Sequence, residues 1–476
     1  MEDLFGVLVF ILNPRRGSLT ILTCPNISNL EGRVKTIAAG LCTAIVLALP
    51  CCCQDQPAAS ANYGSAPSRA PGQDDGRPGA LWSFVVSGDS RNCGDVVVPA
   101  IAHGAHKDGA TFYWHLGDLR AIYDFDEDML QEAAVKRKHP AKEQQADTAK
   151  QPQAADEEKL PLTIIAYEND SWEDFKRNQI APFDQLSIPY YVGIGNHETI
   201  PPKSRCEFAN SFRAWLDKPE LRDKLTPASS AQPSRTGAKL PAKAAENEAS
   251  AKTPSCPQCS NDAVKTYYHF VKAGVDFIFL DNATGEQFDQ PQLSWLDRVL
   301  NADRENKSIT TVVVGMHKAL PWSVTCDHSM NETPDGTRSG TEVYRKLLRL
   351  QKDKKVYVLA SHSHYFMRDI YDTPHWQQEG VLPGWIIGTA GAQRYPLPPG
   401  ADLSKSRTHV YGYLLGRVYD DGSIDFAFTE VKEDDVPDGV NTRYTKDWIR
   451  NFCFNSNYKQ TVDPEPAYCK GTEARH

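Results

Sequence analysis

Five short apolar runs in this chain end alike, in a glycine or serine followed by aspartate, asparagine or histidine. Val85-Val86-Ser87 leads to Gly88-Asp89-Ser90-Arg91, Trp114-His115-Leu116 to Gly117-Asp118, and Val192-Gly193-Ile194 to Gly195-Asn196-His197-Glu198. Further on, Val312-Val313-Val314 leads to Gly315-Met316-His317, and Val358-Leu359-Ala360 to Ser361-His362-Ser363-His364. Carboxylate, amide oxygen and neutral imidazole are donors that divalent and trivalent cations take. A single aspartate can share its two oxygens between two cations, and a pair about 3.5–4 Å apart needs such an anionic bridge. Each cluster alone is weak evidence, because Gly-Asp after a strand is usually a turn and a lone strand-end histidine is usually structural. Ligands of α/β sheets bind beyond the carboxyl ends of strands, however, so five such ends would converge on one site.

The elements that must position these residues are legible as short β-branched or aromatic runs bounded by turn residues. Residues 82–87, 111–116, 189–194, 275–280, 310–315, 356–360 and 385–387 read as buried strands, and 96–106, 171–185, 290–301 and 341–352 as helices. Residues 413–419 and 423–429, separated by Asp420-Asp421-Gly422, read as a late hairpin. The alternation is an α/β pattern with helices available to cover the sheet faces.

In order, the blocks GD, GD, GNHE, GMH and SHSH resemble the signature of the calcineurin-like metallophosphoesterases, over roughly Leu81 to Val431. Phe277-Ile278-Phe279-Leu280-Asp281, Leu293-Ser294-Trp295-Leu296 and Gly388-Thr389-Ala390-Gly391-Ala392 are supporting matches. The resemblance implies a four-layer αββα sandwich and two metal ions, manganese, iron or zinc. Asp118 would bridge them, Asp89 and His364 would complete the first site, and Asn196, His317 and His362 the second. A bridging hydroxide would attack phosphorus in line. His197 would be general acid or leaving-group stabiliser, with Glu198 supporting it. In His362-Ser363-His364 an extended backbone would send both imidazoles to one side, each toward a different metal.

Two departures from the family pattern stand out. The position two residues after Asp89, where the family usually has a ligand histidine, is Arg91, and arginine stays protonated and cannot ligate a cation. Tyr123 is a conceivable replacement ligand, although a structural tyrosine is the better reading; Arg91 would instead face the substrate and hold a phosphate oxygen, with Asn92 in reach of the site. Three residues after Asp118, where some relatives carry an aspartate paired with the acid histidine, stands Ala121. Asp124 and Asp126 are candidates to replace it, but both read better as solvated loop carboxylates. Trp322, Arg394 and Tyr395 read as pocket or core residues, and His103, His106, His115, His269, His328 and His375 receive no role.

The 476 residues suffice for one enzyme domain with insertions, and a net charge of −9 with pI ≈ 5.8 excludes a basic surface for nucleic acid. Arg33 and Lys35 followed by the apolar run from Thr36 to Leu49 form a signal-peptide layout, too short for the roughly 20 residues that span a bilayer. Residues 1–33 fit a leader poorly, so Val34 is the expected true start. Residues 1–56 are thus read as leader, 57–80 as linker, 81–431 as the metallophosphoesterase domain with insertions near 131–159 and 218–255, and 432–476 as a C-terminal extension. The first insertion reads as a helical excursion. Export, periplasmic or extracellular, is expected, by a soluble route rather than as a lipoprotein at Cys51 to Cys53. Seven cysteines remain after the leader, an odd number, so one is expected free; Cys453 is expected to pair with Cys469 and Cys256 with Cys259. The expected activity is metal-dependent hydrolysis of a phosphomonoester or phosphodiester. The alternative is a secreted binding protein whose scaffold lost catalysis through Arg91. A dinuclear hydrolase of another bond, such as a β-lactam-type amide, usually carries HxHxDH, which is absent.

Overall fold

The computed structural model describes residues 8–13, 18–23, 79–138, 163–221, 264–462, 466 and 469. The apolar run of the expected leader (36–49), the start at Val34, most of the linker, Cys256 and Cys259 lie outside them, as do residues 139–162 and 222–263. The chain divides into two units at Tyr63/Gly64. In the first, β1 (Leu8–Asn13) and β2 (Ser18–Thr23) form an antiparallel hairpin with Leu8 opposite Thr23.

In the second unit the strands are β3 (Trp82–Ser87), β4 (Ala110–His115), β5 (Tyr190–Val192), β6 (Tyr268–Lys272), β7 (Val275–Leu280) and β8 (Thr311–Met316). They continue with β9 (Lys355–Ala360), β10 (Phe366–Arg368), β11 (Gly384–Ile387), β12 (Ser406–Arg407), β13 (Tyr411–Val418) and β14 (Ile424–Val431). Two mixed sheets result, ordered β14-β13-β3-β4-β5 and β12-β10-β11-β9-β8-β7-β6. Within them β3, β4 and β5 run parallel, as do β7, β8, β9 and β11, which is why the expected ligand blocks all emerge at carboxyl ends.

Alternation along the strands explains the packing. Phe84 and Phe112 of one sheet meet Phe277 of the other edge-on at 4.9 and 5.1 Å, and Trp385 meets Phe426 at 4.5 Å. Edge-to-face contacts of this kind add to the area burial of the rings. On the far side of β7, β8 and β9, Ile278, Val312, Val314 and Val358 share a buried cluster with Leu293 and Leu296 of the helix Gln290–Glu305 and Val343 and Leu347 of the helix Pro334–Leu350. Both helices begin where their caps require: Asp289 accepts the Gln292 N–H, Thr333 accepts the Gly336 N–H, and each has a proline in its first turn.

Several expectations shift. The helix expected over 171–185 begins at Ile164, runs as α-helix to Phe175, and passes through a π-turn at Lys176–Ile180 before Ala181–Gln185. Strand β6 was not anticipated: Tyr268 and Phe270 are buried and alternate with His269 and Val271, but the exposed Val271 breaks the apolar–polar alternation in the sequence. The helix at the first insertion starts earlier, at Glu127. The disulfides also differ. Cys453 pairs with Cys93 and Cys469 with Cys326, in place of a Cys453–Cys469 loop. The reason is tertiary: Arg394 donates to the carbonyls of Cys453 and Phe454 at 3.0 and 2.9 Å, carrying Cys453 to the start of the helix Gly94–Lys107. Cys206 is also disulfide-bonded, so no cysteine among the described residues is free.

Candidate metal centre

The strand-end loops are laced to one another by backbone hydrogen bonds. Gly88 N–H donates to Ile387 O, Asp89 N–H to Gly117 O, and Ser361 N–H to His317 O, at 3.0, 3.0 and 2.9 Å. Two glycines permit close approaches at these loops: a Cβ on Gly195 would stand 2.2 Å from Asp118 Oδ1, and one on Gly388 2.3 Å from Ser363 O. Asp89 and Asp118 both take left-handed backbone, with φ 59° and 57°, turning their carboxylates inward. Such outliers in non-glycine residues concentrate at functional sites.

Asp89, Asp118, Asn196, His317, His362 and His364 are all brought together. His317 Nδ1 donates to Leu116 O at 3.1 Å, which leaves Nε2 as the lone-pair nitrogen. That atom faces Asn196 Oδ1 at 2.8 Å, His362 Nδ1 at 3.1 Å and Asp118 Oδ1 at 3.2 Å. The same pattern recurs beside it. His364 Nδ1 lies 2.7 Å from Gln393 O, and its Nε2 faces Asp89 Oδ1 at 3.3 Å. Asp89 Oδ1 and Asp118 Oδ2 are buried with no hydrogen-bond partner. Acceptors crowded against acceptors, with orphaned carboxylate oxygens between them, suit a cation. In the bare chain a proton relieves the crowding: burial pushes His317 down, but the Asp118 carboxylate overrides it and raises its pKa to about 9. Asp118, Asp89 and the histidines therefore fit the implied metal pair.

Arg91 enters the same space. Its Nη1 donates to His197 Nε2 at 2.6 Å, its Nη2 lies 3.4 Å from His364 Nε2, and its Nε lies 4.0 Å from Asp118 Oδ2. His197 Nδ1 donates to Ala121 O at 2.8 Å. Burial drives His197 down to about 4 despite the nearby Asp118 carboxylate. These residues form the floor of a cavity of ≈ 230 Å³, walled by Tyr123, His328 and Tyr395.

Other residues behave differently from expectation. His362 has φ 67°, so His362-Ser363-His364 is bent rather than extended; the bend turns the His362 N–H onto Asp89 Oδ2 at 2.7 Å. Glu198 does not touch the His197 ring. Its carboxylate accepts the N–H groups of Asp118, Leu119 and Gly195 at 3.0, 2.9 and 2.8 Å and so fixes two loops. Tyr123 is half exposed and stacks on His197 with centroids 5.0 Å apart. Trp322 turns away to stack on His375, and Arg394 anchors the C-terminal segment. Asp124 is exposed, but Asp126 is fully buried rather than solvated. His115 packs as expected, bonded to Ser90.

His328, given no role from the sequence, reaches the cavity from a loop far along the chain, and no sequence signal marks it. His328, Glu332 and His362 form a second group with ligand atoms within 4.8 Å, besides Asp118, His317 and His362, but Glu332 is already clamped by the Lys318 ammonium.

No family model and no curated protein matches the chain. Among solved structures it is similar to the purple acid phosphatase PPD1 of yellow lupin (Lupinus luteus) seeds, at 16% identity and a TM-score of 0.41, over 77% of this chain and 56% of that one. It is also similar to a dimetal phosphatase from Danio rerio, at 11% and 0.37 over 73% and 99%, and to PhoD, at 14% and 0.38 over 77% and 73%. The chain thus spans a little over half the length of the lupin enzyme. Two of these three structures are named as phosphatases, one of them a dimetal phosphatase.

Proposed function

We propose that this chain is a metal-dependent phosphoester hydrolase in which Asp118 would be shared between two metal ions, with Asp89 and His364 holding one and Asn196, His317 and His362 the other. One observation carries the reading: two buried carboxylates with orphaned oxygens face imidazole nitrogens whose ring partners are already held by carbonyl oxygens. When bound, such a metal pair supplies Lewis acidity toward a phosphoryl oxygen and a water acidified toward neutral pH.

The chain's own residues do the rest. Arg91, which stays protonated, presents its guanidinium to the cavity and takes a phosphoryl oxygen. His197, its Nδ1–H held by Ala121, accepts from Arg91 through Nε2 and aims the guanidinium. In this state Nε2 carries no proton, so His197 can act on the leaving oxygen only after Arg91 turns to the phosphate and Nε2 takes up a proton. Tyr123 and Tyr395 line the cavity beside them. We further read the two sheets and their covering helices as a four-layer αββα sandwich. We read the chain as exported, a reading supported by its disulfides, which persist in oxidising compartments.

The test is hydrolysis of p-nitrophenyl phosphate against its bis-ester with manganese, zinc and iron, using Asp118→Asn as control. Activity that survives this substitution overturns the site. The second reading, a binding protein, is favoured by Arg91 standing beside His364. Less than one metal equivalent per chain, with no hydrolysis under any of the metals, would select it.

A further inference from the structure

One buried carboxylate joins the two loops that bring Arg91 and His197 together. Asp126 is fully buried; its Oδ1 accepts the Asn92 N–H at 2.7 Å, and its Oδ2 accepts the Ala121 N–H at 3.0 Å and the Tyr167 hydroxyl at 2.6 Å. The Tyr167 oxygen in turn accepts the Ile122 N–H at 3.3 Å. The first loop carries Arg91, whose neighbour Asn92 has φ 66°. The second carries the carbonyl that holds His197.

The second loop is held in a conformation it would not choose. Ile122 has φ 69°, an outlier for a β-branched residue, and the Tyr123 N–H closes onto Ala121 O at 2.9 Å. This is a three-residue γ-turn of the rare, positive-φ kind. Such turns persist only where the surroundings over-determine them. Here the surroundings are Asp126 and Tyr167 on one side and the buried Ile122 side chain on the other. The turn has two consequences. Ala121 O points at His197 Nδ1, and the Tyr123 ring lies against the imidazole at an interplanar angle of 23°.

We infer that Asp126 is a positioning residue, a clamp between residues 91–92 and 121–123 that sets the Arg91–His197 contact without touching the cavity or the expected ligands. For its kinetic consequence the inference rests on the hydrolase reading; for its structural one it does not. An asparagine would not do, because a single carbonyl oxygen cannot serve three donors and its NH₂ would face an N–H.

The experiment compares Asp126→Asn and the milder Tyr167→Phe with Asp174→Asn. Asp174 is a buried carboxylate that, like Asp126, faces the Arg120 guanidinium; it bonds to that side chain but to none of residues 91–92 and 121–123. Asp126→Asn should keep the wild-type metal content and KM but lower kcat on the order of 10–100-fold, the scale of a small misplacement. Tyr167→Phe should lower it less, and Asp174→Asn should cost melting temperature but not kcat. With His197→Ala, Asp126→Asn should have no additional effect. In the crystal structure of Asp126→Asn the 2.6 Å Arg91–His197 contact should be gone. An unchanged kcat, an effect additive with His197→Ala, or an Arg91–His197 contact still at hydrogen-bond distance overturns the inference. If wild-type protein hydrolyses nothing under any metal, the hydrolase reading falls, and the crystallographic arm still decides the clamp.

Discussion

Arg91 is the residue on which the chemistry turns. Placed where a ligand histidine is usual, it brings a fixed positive charge within 3.4 Å of His364 Nε2, so it competes with a cation for the first site while offering five donors to a phosphate. Arg91→His should therefore tighten metal binding at the first site, measured by metal retention through dialysis against a chelator. Arg91→Ala should keep the second metal and lose roughly 10²–10³-fold in kcat, the scale of a lost charge-stabilising donor. Equal retention in wild type and Arg91→His would place the arginine outside the ligand position. Of the candidate ligands, Asp89, Asp118, Asn196, His317, His362 and His364 were readable by position because strand ends announce themselves. Asp126 was not, because nothing in Tyr123-Asp124-Phe125-Asp126 distinguishes a solvated carboxylate from one buried beneath a γ-turn.

Elements hold the site through their close approaches. Gly195→Ala puts a methyl 2.2 Å from Asp118 Oδ1, with Asp118 N–H at 2.3 Å, so neither side can yield cheaply. It should abolish metal binding while leaving most of the secondary structure, a split visible by metal analysis beside circular dichroism. A second element contact is sensitive to pH. Asp303, on the helix Gln290–Glu305, is buried near Asp276 of β7, and each has a buried carboxylate oxygen without a hydrogen-bond partner; burial and then the Asp276 charge raise the Asp303 pKa to about 8. A raised carboxyl pKa binds its proton more tightly in the folded state. Its contribution is therefore complete below the ordinary value of 3.8 and lost as pH rises through about 8. Asp303→Asn removes that dependence, so the wild-type advantage in melting temperature over this variant should shrink, or reverse, between pH 4 and pH 8. A difference constant with pH would mean that Asp303 is charged in the folded protein.

At the scale of the molecule, the C-terminal segment is part of the fold's framework. Cys93, two residues beyond Arg91, is bonded to Cys453 across a separation of 360 residues, and Cys326, two before His328, to Cys469. Long closed loops gain most from a cross-link, so replacing Cys93 and Cys453 by serine should cost roughly 2–5 kcal/mol, read as a lower denaturant midpoint. It should also lower kcat, because the loop bearing Arg91 loses its anchor; an unchanged kcat would separate the anchor from the site. Among the described residues no helix is long and apolar enough to cross a membrane.

Local patterns determined much of this protein. Runs such as Val275–Leu280 and Trp82–Ser87 are strands because β-branched and aromatic residues between turn formers have few other options, and the donors at their ends follow from the same punctuation. The helix start at Asp289 is likewise written in its cap, whereas the helix expected over 341–352 begins about two turns earlier, at Pro334 behind its cap Thr333. Tertiary structure alone decided which cysteines meet, since pairing depends on where Arg394 draws residues 453 and 454 rather than on spacing. It alone decided that His362 bends to meet Asp89, that Glu198 serves backbone amides, and that Asp126 is buried. In each case the side chain answers to a group far away in the chain, and no local periodicity records that partner.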